Sequence, residues 1–462
     1  MSKEQSKNKP IITEENKMGT MPVNRLLITM ALPMMISMLV QALYNVVDSI
    51  FVSRISEDAL TAVSMAFPMQ NLLIGLASGI AVGMNALLSK NLGEKKFKEA
   101  NHMAMHGVFL AVCSYLLFLI LGLTISRVFF VVQGASEEIT QYGHDYLSII
   151  MCVSFGCFLE IIYERLLQST GKTIYTMFTQ GLGAIINIIM DPMLIFGIGI
   201  FPKMGIQGAA TATVLGQIVA AILAITLNTR VNKEISLDFK KFKPDMRAIG
   251  NILYIGIPSV IMVAIGSVMT FCVNRILVVF SSTAVAVFGV YFKLQSFAFM
   301  PVFGMNNGMV PIVAYNYGAK KPDRIMKTVK LSMFYATCIM VIAFIIAQTI
   351  PGALLSLFSA SEEMLRIGIP ALRTISFSFL LAGVSVICGS FFQALGNGIY
   401  SMIVSLMRQL VCLVPLAWLF SRTGDVSMVW WAWPIAEVVS LLCGLFFFSR
   451  VNKNLIKPMR ED

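Results

Sequence analysis

Twelve apolar runs divide this chain, at residues 26–52, 60–88, 104–131, 146–168, 174–200, 206–228, 249–280, 284–313, 328–350, 368–392, 399–421 and 428–449. A bilayer span needs about 20 mostly apolar residues. Within hydrocarbon the backbone has to satisfy its own hydrogen bonds, so runs of this kind are helices. The runs therefore predict an all-α polytopic membrane protein of twelve transmembrane helices. Composition agrees: 57% of the 462 residues are hydrophobic and 13% charged, against about 25% charged in a soluble domain.

The net charge of +11 could point to nucleic acid, but the placement of the charges excludes it. If the chain starts inside, Lys3, Lys7, Lys9, Lys17 and Arg25, the lysines at 90–98, Arg165, Lys172, the basic residues at 230–247 and 320–330, and the tail at 450–460 share one side. The other side keeps only Arg54, Arg127, Lys203, Arg366 and Arg422. That bias is the positive-inside rule with both termini cytoplasmic. The polar first 25 residues show no signal peptide. All eight cysteines fall in apolar runs without ligand-like spacing, so neither a disulfide framework nor a metal site is expected. His102 and His106 lack the glutamate of H-E-x-x-H, and no Walker motif is present, so a membrane enzyme or ATP-driven pump is disfavoured.

The second half repeats the first at an offset of 225 residues. Pro33 matches Pro258, Gly79 and Gly83 match Gly304 and Gly308, Asn91 and Gly93 match Asn316 and Gly318, and Gln168, Gly171 and Tyr175 match Gln393, Gly396 and Tyr400. The tetrapeptide ASEE occurs at 135–138 and again at 360–363. Six helices per half, an even number, make the halves parallel repeats, an arrangement of transporters whose substrate path lies between two lobes. The expected divisions are a cytoplasmic tail 1–23, a first lobe 24–228, a charged linker 229–248 that tethers rocking lobes, a second lobe 249–450 and a tail 451–462. The G-x-x-x-G spacing at Gly79/Gly83 and Gly304/Gly308 predicts close helix packing.

Acids at membrane depth are functional candidates by default. On the first run Asp48 shares a helical face with Gln41, Tyr44 and Asn45. On the fifth, Asp191 shares a face with Asn187 and Gln180. At 1.5 Å per residue, Asp191 lies about 24 Å from the cytoplasmic start of its helix, Asp48 about 33 Å along a longer one, and Thr213 about 12 Å in from outside. Asp48, Asn187, Asp191 and Thr213 can thus form one oxygen-rich pocket of the first lobe, with Tyr44 and Asn45 beside it. The repeat places Val273 and Leu416 where the acids would recur, so coupling is expected in one lobe only. Two acids in a dry pocket suit a shared proton, or sodium as the less favoured ion. Glu160 is a candidate for drawing cationic substrate, and Glu164 is expected at the interface. Arg408 and Glu437 reach similar depth on their helices, so an ion pair between them is expected. Met38, Met69, Phe292, Gln295, Met300 and Gln41 are candidate cavity residues, because Met repacks around varied shapes and aromatic faces attract cations; Arg408 and Glu437 are cavity candidates as well.

The stretch GMNNGMVPIVAYNYGAKKPDR at 304–324 resembles the hallmark after the eighth helix of the multidrug and toxic compound extrusion (MATE) transporters. GIAVGMNALLSKNLGEKKFKEAN at 79–101 resembles the matching first-half signature, and YNVVDSIFVSRI, INIIMDPMLIFGIG and GIQGAATATVLGQ resemble motifs of helices one, five and six. The similarity covers roughly 24–450 and is strongest to the MepA- and DinF-like bacterial branch. It implies a monomeric, two-lobed antiporter in the bacterial cell membrane that exports amphipathic, often cationic drugs against a proton or sodium gradient without a cofactor. It also implies that Asp48, Asn187 and Asp191 are the family's site residues, with Thr213 a polar partner. Helix seven carries Asn274 and Arg275 and helix ten no acid, which argues against a second-lobe sodium site. A flippase for lipid-linked saccharides, the nearest alternative, would want more helices or a strongly cationic cavity.

Overall fold

The computed structural model describes residues 15–358 and 360–460. Lys3, Lys7, Lys9 and the outer part of each tail lie outside the described residues. Ten helices are long and apolar enough to cross a membrane, and two bent pairs bring the spans to twelve among the described residues. They are α1 (Val23–Ser53), α2 (Glu57–Gly93), α3 (Phe97–Val132), α4 (Glu137–Cys152 with Phe155–Ser169), α5 (Thr173–Phe196) and α6 (Ile206–Val231). The second set is α7 (Met246–Leu277), α8 (Ser282–Gly318), α9 (Pro322–Thr349), α10 (Glu362–Ser376 with Phe379–Ala394), α11 (Gly398–Ser421) and α12 (Ala432–Val451).

The repeat is visible in the local chemistry that starts and ends these helices. Ser56 and Ser281 cap α2 and α8 by accepting the N–H of Ala59 and of Ala284, each at 3.0 Å. The repeated ASEE is a second pair of caps: Ser136 and Ser361 accept the N–H groups of Ile139 and Met364 at 3.3 and 3.2 Å, with two glutamates following in each first turn. A serine cap supplies an acceptor for an orphan N–H, and acids there complement the helix dipole. Gly171 and Gly396 both take φ 80°, closing equivalent turns.

The caps also account for a difference from the sequence reading. The fourth and tenth spans each consist of two helices, meeting at 45° and 51°. They start at the capped positions 137 and 362, whereas the apolar runs begin only at 146 and 368.

Six helices pack in each half, with α1 against α5 and α5 against α6 in one, and α9 against α10 and α7 against α11 in the other. The halves meet along α1 and α8 and along α2 and α7. Small residues make these crossings possible: a Cβ on Gly83 would lie 2.1 Å from the Ile252 carbonyl oxygen, and one on Gly308 would lie 2.7 Å from Ala31 Cα. Both G-x-x-x-G pairs thus press on the opposite lobe. This seam lies toward the end that carries the chain termini. There the turn Lys17–Thr20 bridges the lobes. Asn16 donates to Thr170 O and to Glu234, while Asn316, Lys321 and Arg324 donate to the backbone carbonyls of 18, 19 and 21. The linker is likewise docked on α3: Ser236 N–H donates to Asn101 Oδ1, Asp245 N–H donates to His106 Nε2, and Phe242 packs on His106 and Phe109.

Candidate functional site

The first lobe gathers the polar side chains of α1, α4, α5 and α6 into its interior. Asp191 is wholly buried and Asn187 is 3% exposed, and the carboxyl groups of Asp48 and Asp191 meet within hydrogen-bonding range. With its amide oriented so that both ends are satisfied, Asn187 donates to Asp191 Oδ2 at 3.3 Å and accepts the Thr213 N–H at 3.2 Å. The Thr213 hydroxyl turns back to donate to Ala209 O at 3.1 Å. One oxygen of each acid, Asp48 Oδ1 and Asp191 Oδ1, is buried without a hydrogen-bond partner. Two acids in contact, each with a buried oxygen left unpartnered, are a place for a proton or a cation.

Around this pair the structure brings in Tyr44, which lies close to Gln41, Asp48 and Glu160. Asn45 is different. It is exposed and offers only its backbone carbonyl, to Ser49 Oγ at 2.9 Å.

Three features of this interior escaped the sequence reading. Tyr146 accepts from Gln70 Nε2 at 2.9 Å beside the acid pair. Its nearness to Asp48 is a contact between helices, which no periodicity within one helix signals. Glu164, expected at the interface, is only 3% exposed: Thr179 Oγ1 donates to it at 2.6 Å and Gln180 Nε2 at 2.8 Å. Neutral donors from α5 therefore hold this acid inside, next to Glu160. The spacing of Gln180 and Asp191 on one face of α5 was the available signal. Arg165, beside Glu164, donates to Gln168 Oε1 and to Asn307 Oδ1 of the second lobe, both at 2.8 Å.

The second lobe is unlike the first. Arg408 Nη1 donates to Glu437 Oε2 at 3.3 Å, as sequence depth predicts. Arg408 sits in a π-helical turn, Met407–Leu413, Glu437 reaches it from α12, and Tyr291 lies close to the pair. Val273, the repeat position of Asp48, is wholly buried. Of the proposed cavity residues, Met38, Met69, Gln295 and Met300 are half-buried and Phe292 is exposed, packing edge-on against Phe288. Among the described residues no group of three His, Cys, Asp or Glu is placed to hold a metal ion.

Known proteins resemble this arrangement over its whole length. The family model MatE matches residues 33–193 and again 258–419, so each match begins at the repeated proline. The multidrug export protein MepA of Staphylococcus haemolyticus is 25% identical, the alignment covering 92% of this chain and 93% of that protein. The FAD transporter of Shewanella oneidensis is 26% identical over 93% of this chain and 95% of that protein. A solved structure described as the outward-facing conformation of a multidrug resistance MATE family transporter of the MOP superfamily superposes with a TM-score of 0.90. It covers 97% of this chain and 99% of that one at 24% identity, and the likeness is one of fold.

Proposed function

This chain belongs to the MatE family, and from that premise we propose that it is a secondary active efflux transporter that moves amphipathic, cationic drugs outward in exchange for protons. It is a transporter and not an enzyme, in keeping with its family and its multidrug-export relatives. The observation that carries the coupling is the contact between Asp48 and Asp191, each with an unpartnered buried oxygen. Two carboxylates in contact repel in a dry interior, and a proton or a cation between them removes the repulsion. Cationic drug and coupling ion therefore compete for the charge of one chamber, the requirement for antiport. Protons are preferred to sodium because two carboxyl groups in contact in a dry interior raise each other's affinity for a shared proton.

The basic loops gathered at the terminal end favour its assignment to the cytoplasm, with the protein in a bacterial cell membrane. A seam closed at that end then corresponds to an outward-facing state, from which drug leaves and protons enter. No cofactor is required, since a gradient supplies the driving force, and the chain works as a monomer surrounded by lipid.

The test is transport of an ethidium-type cation by the purified protein in proteoliposomes, under a pH gradient and a sodium gradient imposed separately. Uptake driven by the pH gradient alone is expected, and Asp48→Asn and Asp191→Asn should each abolish it while the protein still reaches the membrane. Transport driven by neither gradient, or full transport in both variants, would refute the reading.

A further inference from the structure

We propose that Arg165 is a positioning residue of the transport cycle, tying the charge of the first lobe's acidic interior to closure of the seam between the lobes. The inference rests on the efflux reading above and deepens it. Arg165 belongs to the second part of α4 and holds no ion pair among the described residues: its Nη1 donates to two neutral oxygens, Gln168 Oε1 in its own lobe and Asn307 Oδ1 in the other, each at 2.8 Å. Asn307 lies between Gly304 and Gly308, the residues of α8 that press on Met35 and Ala31 of α1. The partner across the seam therefore exists only while this end is closed.

The neighbouring acid is withheld from Arg165 in this state. Glu164 takes its hydrogen bonds from Thr179 and Gln180, and Glu160 lies one helical turn before it. When the lobes part, Asn307 leaves with α8. The guanidinium then loses a charge-assisted bond in a poorly hydrated place and turns to the acids of its own lobe. Ionised, empty acids thus draw Arg165 off the seam and favour opening. A cationic drug among those acids removes that alternative and leaves Arg165 on Asn307, which favours closure. A ligand shifts such an equilibrium only by its differential interaction with the two states, and Arg165 supplies that difference. Drug loading then promotes the state from which drug leaves.

The experiment is a distance measurement on the full chain in lipid nanodiscs, with spin labels at Lys98→Cys and Lys327→Cys in a background without the native cysteines. Both positions are exposed at the terminal end of their helices, one in each lobe. Asn307→Ala should lower the closed-to-open ratio about tenfold, the loss of one hydrogen bond to a charged group. Asn307→Asp should raise it, and Arg165→Gln should both lower it and abolish the closure that ethidium induces in the parent; Arg165→Lys should restore part of that response. A merely structural role for Arg165 would not give opposite shifts from two substitutions at Asn307. Unchanged ratios in all the variants, or an ethidium response that survives in well-folded, monodisperse Arg165→Gln, would overturn the proposal. A parent that shows these shifts but fails to move ethidium in proteoliposomes would overturn the efflux reading and leave the role of Arg165 at the seam standing.

Discussion

Glu437 and Asp191 are both buried acids, yet they are held in opposite ways. Glu437 faces a fixed cation, Arg408, through one oxygen, whereas Asp191 faces another acid and an amide. The first arrangement is neutral at rest and serves the integrity of the second lobe. The second carries charge that has to be satisfied from outside. Removing one member of a buried ion pair strands the other, at a cost on the order of 3 kcal/mol, while replacing both by apolar residues is often neutral. Glu437→Ala should therefore lower the thermal midpoint in detergent clearly, and the double variant Arg408→Leu/Glu437→Leu should recover most of the loss. At the coupling site, the Asn187 amide accepts the backbone N–H of Thr213 at 3.2 Å and lies 3.3 Å from its hydroxyl, whose proton goes to Ala209 O. Thr213→Val should then leave proton-driven transport within about twofold of the parent, less than the effect of one net hydrogen bond; a tenfold loss would mean that the hydroxyl ligates the ion. Asp48, Asn187 and Asp191 were legible in the sequence because helical spacing and depth are one-dimensional facts, and Thr213 was legible through the resemblance of the helix-six motif, with a compatible depth. The burial of Glu164 was not, because it depends on Thr179 and Gln180 of another helix.

At the level of elements, the length of an apolar run proved a good guide to where a helix crosses and a poor guide to how it starts or bends. The runs at 146–168 and 368–392 each hide a break, and the polar first turns of α4 and α10 fall outside the apolar window altogether. What fixes those turns is Ser136 and Ser361, which the repeat displayed as a recurring tetrapeptide without revealing its role. Losing either cap by Ser→Ala should destabilise the chain by about 1 kcal/mol, measurable as a small drop in thermal midpoint, with transport retained. The seam glycines are less forgiving. A side chain on Gly83 or Gly308 meets backbone of the other lobe rather than a flexible side chain, so Gly83→Leu and Gly308→Leu should wedge α2 from α7 and α1 from α8. Thiol labelling of a cysteine placed at Ile252, which faces Gly83, or at Ala31, which faces Gly308, both buried here, should become fast in the corresponding variant.

On the scale of the whole molecule, the two lobes are joined at one end by more than helix crossings. The segment from Glu15 to Met21 acts as a strap: Asn16 holds the first lobe through Thr170 O at 3.2 Å and the linker through Glu234 at 2.9 Å, and Lys321 holds Glu15 at 2.6 Å and Gly19 O at 3.0 Å from the second. Such bonds persist only while both lobes are near, so the strap stabilises the closed end relative to any state in which the lobes separate there. The charge of Lys321 beside Glu15 holds its carboxyl below the usual carboxylate range. Because that value is depressed, the contribution of the pair is present above the unfolded carboxylate pKa, which is about 4.3, and fades as pH falls through the lower folded value. Near neutral pH Glu15 therefore carries its full charge beside Lys321. Removing residues 1–21 should shift the spin-label distances toward the open end, as should Asn16→Ala combined with Lys321→Ala. The reversed pair Glu15→Lys/Lys321→Glu should restore the closed population that Lys321→Glu alone loses. If truncation leaves the distance distribution unchanged, the crossings of α1 with α8 and of α2 with α7 hold this end closed without help from the strap.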